Sequence, residues 1–539
     1  MFRQRTSSHF LGSLLVIALI STTMISSAQE NPYMITIMHT NDTRANHLPN
    51  GDDVGGAARQ ATMVRDIRDS VDNSLLLDAG GRFTGTLFHR VYAGQDNVQV
   101  MNTLGYDAMT VGNPEFDNGD DILAQFINGL TFPVVAANID ASRSPSLANK
   151  FQPYLVTEVG GEAIGIIGIT TDTIPRISSP SANITFASNM QQVIQEQADF
   201  LTSEGVNKII LLSYLGYDLD VEIAPLLSGV DLIVGGNTRT LLSNTTADSA
   251  GPYPTVLQSA DGAPILIVQS GGGSRGELIY MGRIDLTFDN TGLLTVWEGD
   301  TILLDSNIAQ DPEMEILIDT LNEEVQIERQ RVIRTPGGDV VTVANSFNID
   351  DCRIRECALG NLVANAIRWQ TGSQIALTNG GGMRGGIEAG DLLRGEILEF
   401  LPFTNRLTTF RALGADIVVA LENGVSRVGE SSGTGRFPQI SGARFTYDVS
   451  QAPFSRIVSV EVLAGDGITY EPIDPTATYS IVTTDFIRKG GDGYQVFADR
   501  GRDAADTLIF LDDVFQSYVR EHSPLDPQLE GRITVLNLP

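Results

Sequence analysis

Cysteine, histidine and positive charge are all scarce in this chain, and each shortage closes off a class of protein. Only two of the 539 residues are cysteines, Cys352 and Cys357. Two cysteines cannot staple a disulfide-dense scaffold, and two thiolates alone make a poor zinc site. There are five histidines, His9, His39, His47, His89 and His522, too few for imidazole-rich metal binding. Lysine and arginine total 35 against 66 aspartates and glutamates, a net charge of −31. A field of that sign repels nucleic acid and anionic membranes, so neither is an expected partner and any phosphate site must be local. Long apolar runs are also missing, apart from residues 10–20, which follow Arg3 and Arg5 and precede Ser26-Ser27-Ala28. That run is shorter than the roughly 20 residues a membrane-spanning helix needs.

Residues 1–28 have the layout of an export signal cleaved after Ala28, with an uncleaved anchor as the alternative. Losing Arg3 and Arg5 with the signal removes two positive charges and takes the net charge from −31 to −33. No other segment has the pattern of an integral membrane span, and the end of the chain from Gly531 to Pro539 has no hydrophobic tail of the lipid-anchor type. The expected location is extracytoplasmic: secreted, periplasmic or at the cell surface. In such a compartment an even cysteine count favours a Cys352–Cys357 disulfide closing a tight loop.

At 539 residues and 42% hydrophobic composition, two or more domains with sizeable cores are expected. Between Met34 and Val268, short Ile/Val/Leu runs alternate with helical patterns: 34–38, 75–77, 108–111, 208–212, 231–234 and 265–268. Near-continuous apolar strands point to sheets buried on both faces, hence an α/β class. Polar or glycine-rich segments follow several of these strands, which is where α/β folds build sites. Asp311-Pro312 is an N-cap followed by proline at the first helical position, with Met314, Leu317, Ile318, Leu321 and Val325 on one face. This predicts a helix from 311 to about Arg334, bridging a first domain (33–310) and a second (340–539). Internal repeats and low-complexity segments are absent.

The post-strand segments His39-Thr-Asn-Asp42, Asp78-Ala-Gly-Gly81, Gly112-Asn-Pro-Glu-Phe-Asp117, Ser213-Tyr-Leu-Gly216 and Gly235-Gly-Asn-Thr-Arg239 together carry a resemblance. They resemble the calcineurin-like metallophosphatase half of the 5'-nucleotidase family, a β-sandwich flanked by helices. Its signature runs D-x-H, G-D, G-N-H-E, a lone H, then G-H-x-H or G-H-x-Q. The resemblance implies two divalent metals that activate water and clamp phosphate. Asp42 and Asn113 match metal ligands, but the remaining positions hold Arg44, Gly81, Tyr214, Asn237 and Arg239. Pro114 stands at the catalytic histidine, whose partner matches Asp117. Two oxygen donors cannot hold two transition metals against water. No cofactor is therefore expected, with zinc or manganese returning only if the site has been rebuilt. Of the remaining histidines, His39 has a structural role, and His47 lies in the loop where it could replace a ligand. Arg44 and Arg239 put fixed positive charge where metals would sit and could clamp an anion; unconstrained drift after metal loss is the alternative.

From Cys352 to Phe497 four segments occur in order: Cys352-Arg-Ile-Arg-Glu-Cys357, Asn379-Gly-Gly-Gly-Met-Arg384, Leu401-Pro-Phe403, and Asp485-Phe486 through Gly491-Asp492-Gly-Tyr494. They resemble the family's C-terminal α/β substrate-binding domain. The resemblance implies a phosphate contact from Arg353, ligand contacts from Asn379 and Arg384, and close backbone approach to the ligand at Gly381 and Gly382. It also implies a base held between Phe403 and Phe486, and ribose hydroxyls bound by Asp492. Carboxylate suits diol, arginine suits phosphate, and phenyl rings stack any base. The expected ligand is thus a nucleoside or nucleotide. Two functions are compatible with these residues: a binding protein with little or no metal-dependent hydrolysis, and a hydrolase of extracellular nucleotides with a rebuilt site. A surface protein without a ligand is a third.

Overall fold

The computed structural model describes residue 1 and residues 32–272, 278–403, 405–430 and 434–537, so the export signal expected at 1–28 lies outside the described residues, Met1 apart. One sheet has the strand order Leu294–Leu303, Tyr280–Phe288, Tyr33–Thr40, Ser74–Asp78, Ala108–Met109. A second has the order Thr255–Gln258, Pro264–Val268, Leu232–Gly235, Ile209–Tyr214, Glu162–Thr170, Tyr154–Val159. Strand residues alternate sides, and both sides are apolar. Ile35, Ile37, Leu75 and Leu77 meet Ile164, Ile166, Ile210 and Leu212 between the sheets. Met38, Leu76 and Met109 face outward into a core shared with helices. Ile167, Ile169, Ile209 and Leu211 do the same on the far side, against the helix Met190–Ser203. The result is a β-sandwich with helices on both outer faces, which explains the near-continuous apolar strands.

Parallel pairing then sets where a site can form. Tyr33–Thr40, Ser74–Asp78 and Ala108–Met109 run parallel, as do Glu162–Thr170, Ile209–Tyr214, Leu232–Gly235 and Pro264–Val268. Within each sheet the carboxyl ends of these strands share one edge, where Tyr214 ends its strand and the loops beyond carry Asp42, Gly81, Asn113 and Gly236.

The C-terminal part has a five-stranded sheet, Pro438–Ser441, Ile375–Asn379, Thr478–Thr484, Arg406–Leu413, Arg502–Phe510, and a four-stranded one, Tyr470–Pro472, Ile457–Leu463, Ala443–Asp448, Ile533–Leu536. Helices Ala358–Thr371 and Leu511–Glu521 bury Leu359, Val363, Ile367, Val514 and Phe515 with Ala376 and Val482. Helix Gly414–Val425 packs Ile417 and Leu421 with Ile375, Leu377 and Phe410.

Between the two parts lies the helix Pro312–Gln330. Asp311 Oδ1 caps it, accepting the N–H groups of Glu313 and Met314 at 3.1 and 3.0 Å. Met314, Ile318, Leu321 and Val325 are buried on its inner face, with Leu317 half-buried beside them. The helix stops at Gln330 rather than near Arg334. Val332 bridges Leu393, and the Ile333 N–H bonds Leu392 O at 2.9 Å, so extended pairing takes the backbone groups a further turn would need.

Two buried carboxyls beside the second sheet, Asp220 in the helix Tyr217–Ile223 and Asp231 just before the strand Leu232–Gly235, have a consequence for stability. Asp220 accepts the Ser213 hydroxyl at 2.5 Å, while its other oxygen is buried without a partner. Burial pushes the Asp220 carboxyl up to about 7, and burial likewise raises Asp231 to about 7 against the Ile209 N–H. Both folded values lie above the unfolded one of about 4. This stabilisation is therefore complete below the unfolded value and lost as pH rises through about 7. Carboxyls held low, such as Asp448 at about 2, act only on the acid side of that window. The expected result is a Tm several degrees higher at pH 5.5 than at pH 8.0, with Asp220→Asn narrowing the gap. A Tm that rises over the same interval would contradict the assignment.

Candidate functional site

Tyr214 occupies the centre of the strand-end loops. Its side chain is fully buried. Four glycines from three loops make room for it. A Cβ on Gly112 would lie 2.3 Å from the phenol ring, and one on Gly80 or Gly236 would lie 3.0 or 3.1 Å from it. A Cβ on Gly81 would sit 2.8 Å from Asp42 Oδ1 and 3.2 Å from the Tyr214 hydroxyl, on a backbone with φ of +81°. The aspartate expected at that position therefore has no room. The Tyr214 hydroxyl donates to Asp42 Oδ1 at 3.0 Å, and Asn41 Nδ2 donates to Asp42 Oδ2 at 3.0 Å. Burial raises the Asp42 carboxyl above its ordinary range, opposed by Arg44, Asn41, Tyr214 and Arg239.

Arg44 reaches toward the same group, with Nη2 at 3.4 Å from the Tyr214 hydroxyl and 3.8 Å from Asp42 Oδ1. The loop is held in place by Asp42 N–H to Gly80 O at 2.8 Å and Arg44 N–H to Gly81 O at 3.0 Å, with φ values of +52° and +53°. Arg239 acts electrostatically on Asp42 but does not line the cavity between the two parts of the chain. His39 is buried against the Tyr253 hydroxyl at 2.8 Å, and burial lowers its pKa to about 3. His47 is buried against Asp96 at 2.8 Å, so its Nε2 is already engaged and it supplies no replacement ligand here.

Glu115 is a residue the sequence motifs did not single out, although it is the retained E of G-N-P-E. It is fully buried and accepts four backbone N–H groups, from Gly81, Arg82, Phe83 and Gly112, at 3.2, 2.6, 3.0 and 2.6 Å. Burial pushes its carboxyl up to about 7, the N–H groups pulling the other way. Glu115 thereby pins two of the loops that enclose Tyr214. Asp117 accepts Thr84 Oγ1 and Ser178 Oγ at 2.7 Å each, and burial raises it to about 6. Pro114 begins a short 3-10 turn, and Asn113, which precedes it, faces the cavity.

That cavity, of about 200 Å³, is shared by both parts of the chain. Arg44, Thr84, Asn113, Asp117, Ser178 and Ser179 line one wall; Phe403, Asn405, Asp485, Phe486, Lys489 and Gly491 line the other. Phe403 and Phe486 are 39% and 42% exposed, so they are not core residues. The Arg384 guanidinium lies 5.3 Å from the centre of the Phe403 ring, a cation–π contact. Asn379 Nδ2 donates to Asp492 Oδ2 at 2.6 Å, and Asn423 Nδ2 holds the Asp492 carbonyl at 3.1 Å. A side chain on Gly381 would strike Gly435, and one on Gly382 would approach Asn379 Oδ1 at 3.0 Å. Cys352 and Cys357 are joined as a disulfide with Cα atoms 5.0 Å apart. Arg353 follows Cys352 beside this loop, its Cα 3.2 Å from where a Gly380 Cβ would be. Asn379 is thus paired with Asp492 and Arg384 with Phe403, and Arg353 abuts the loop that carries Asn379, but of these residues only Phe403 lines the cavity. Asn405, Asn423 and Ser178 had no signal in the sequence, because they meet only across the fold, and Lys489 lies inside the segment 485–494 without being singled out there.

The family model for the 5'-nucleotidase C-terminal domain matches residues 335–499. The 5'-nucleotidase of Diplobatis ommata is 33% identical over 98% of this chain and 94% of its own length. The chain belongs to the 5'-nucleotidase family. The snake venom 5'-nucleotidase of Naja atra is 34% identical, covering 93% of this chain and 98% of its own. A solved 5'-nucleotidase precursor from Thermus thermophilus is 38% identical with a TM-score of 0.70, covering 94% of this chain and all of that one. The two-part fold, sandwich plus C-terminal α/β part, is thus that of a 5'-nucleotidase. Its metal pair, however, does not fit these residues. Among the described residues no three His, Cys, Asp or Glu side chains gather to hold an ion, and the Tyr214 ring fills the middle of the loops.

Proposed function

We propose that this chain is an extracytoplasmic member of the 5'-nucleotidase family that binds nucleosides or nucleoside phosphates and has lost metal-dependent hydrolysis. The observation that carries this reading is the burial of Tyr214 among Gly80, Gly81, Gly112 and Gly236, where its hydroxyl consumes Asp42. In this reading the base lies between Phe403 and Phe486 and the ribose toward Asp492, with Arg353, Asn379 and Arg384 as further ligand contacts. The division into 33–310, a bridge from 311 and a substrate-binding domain from 340 belongs to the same proposal. So do cleavage after Ala28 and oxidation of Cys352 and Cys357 outside the cytoplasm, a setting to which the Naja atra venom relative lends support. No described helix is long and apolar enough to cross a membrane.

A hydrolase with a rebuilt site is the second reading, favoured by relatives named as 5'-nucleotidases at 33–34% identity. Its inherited acid–base candidate is Asp117, at about 6, but both oxygens already accept hydroxyl groups. Thermal shift in EDTA tests the binding reading. AMP, ADP or adenosine is expected to raise Tm, since a ligand at 100 times its Kd stabilises by about 2.7 kcal/mol. No shift with any of them would remove the nucleotide-binding function.

A further inference from the structure

We propose that Arg44 and Lys489, from opposite walls of the cavity, hold the phosphate of a nucleoside monophosphate directly, without a metal, so that the ligand ties the two parts of the chain together. This rests on the nucleotide-binding reading above and adds a phosphate site that the family's metal-based chemistry does not supply.

Arg44 has capacity to spare. Its side chain is 18% exposed on the cavity wall, and its two contacts are long, 3.4 Å to the Tyr214 hydroxyl and 3.8 Å to Asp42. Its Nε is buried with no hydrogen-bond partner. A guanidinium has five N–H donors in a rigid fork that matches phosphate oxygens. The backbone that presents it is fixed: Asp42, Arg44 and Ala45 all have φ between +52° and +54°, and Asp42 and Arg44 are bonded to Gly80 O and Gly81 O. Non-glycine residues in this region persist only where surroundings over-determine them, and such strain concentrates at ligand sites.

Lys489 approaches from the other part. Its Nζ donates to Ser178 O at 3.1 Å, a contact between the two parts, and lies 4.0 Å from Asp485. An ammonium has three donors. Next to it, Phe403 and Phe486 supply the stacking surface in the same cavity. One cavity lining thus holds both stacking rings and both cations.

Two carboxyls, Asp117 and Asp485, share the enclosure and limit how much negative charge it accepts. Asp117 is bound by Thr84 and Ser178, and Asp485 Oδ1 accepts the Arg406 N–H at 3.0 Å. Two cations against two acids suit a monophosphate and disfavour a triphosphate.

Isothermal titration in EDTA with AMP, ATP and adenosine tests this on wild type, Arg44→Ala and Lys489→Ala. Each substitution is expected to weaken AMP by about tenfold or more, the scale of a lost hydrogen bond to a charged group. Adenosine affinity stays unchanged, which also shows that each variant is folded. AMP binds wild type more tightly than ATP, and added salt weakens AMP but not adenosine. Unchanged AMP affinity in both variants, or AMP binding that requires a divalent ion, overturns the clamp while leaving nucleoside binding intact. If neither AMP nor adenosine binds wild type, the nucleotide-binding reading itself fails.

Discussion

The Phe403→Ala/Phe486→Ala double variant is expected to lose nucleotide affinity by roughly 30-fold or more while keeping its Tm within about 2 °C of wild type. Each ring stacked on a base is worth on the order of 1–3 kcal/mol by alanine substitution, and two rings give at least about 2 kcal/mol. Stability is spared because both rings are exposed, at 39% and 42%. Truncating an exposed apolar side chain leaves no core cavity. The single variants should each show part of the loss, and AMP and adenosine should fall together because the base is common to both. That joint fall distinguishes stacking from the Arg44 and Lys489 effect, which touches AMP alone. If the double variant binds AMP as tightly as wild type, the two rings are not the base site.

Glu115→Ala is expected to lower stability by at least about 3 kcal/mol, seen as a Tm drop of roughly 5 °C or more. The substitution leaves four buried backbone N–H groups, of Gly81, Arg82, Phe83 and Gly112, without the acceptor they share. Each unsatisfied buried donor costs about 1–3 kcal/mol, though effects within one network do not add. Glu115→Gln should fall between, because an amide offers a single acceptor oxygen and turns an N–H₂ group toward donors. Gly81 and Gly112 also enclose Tyr214, so the same variant should loosen that enclosure and speed amide exchange in both loops. A Tm within about 1 °C of wild type would show that the glutamate is dispensable.

Much of the fold can be read from local pattern. Runs such as 34–38 and 208–212 lie between two packed faces, and burial on both sides leaves an apolar run in the sequence. Asp311-Pro312 marks a helix start because capping and the fixed proline φ are short-range effects. The end of that helix is not visible in the same way, since it is set by pairing of Val332 with Leu393, 61 positions away. In the site, the glycine and acidic motifs announce themselves: Asn379 and Asp492 stand in recognisable segments and are found 2.6 Å apart. Tyr214 is visible only as a substituted histidine. That its ring fills the space between three loops depends on four glycines contributed by those separate loops. Lys489 bonds Ser178 O, and Arg406 donates to Asp117 O at 2.9 Å. Neither pairing leaves a trace in the sequence, because backbone carbonyls accept irrespective of residue type.

The proposed loss of metal chemistry is tested most directly by assaying phosphate release from AMP with purified protein supplied in turn with manganese, zinc, cobalt and magnesium, alongside metal analysis of the same sample. With Tyr214 between the loops, the expected result is no stoichiometric metal and no turnover above the protein-free control. Bound metal at one or two ions per chain together with brisk AMP hydrolysis would contradict it and make the chain an active nucleotidase.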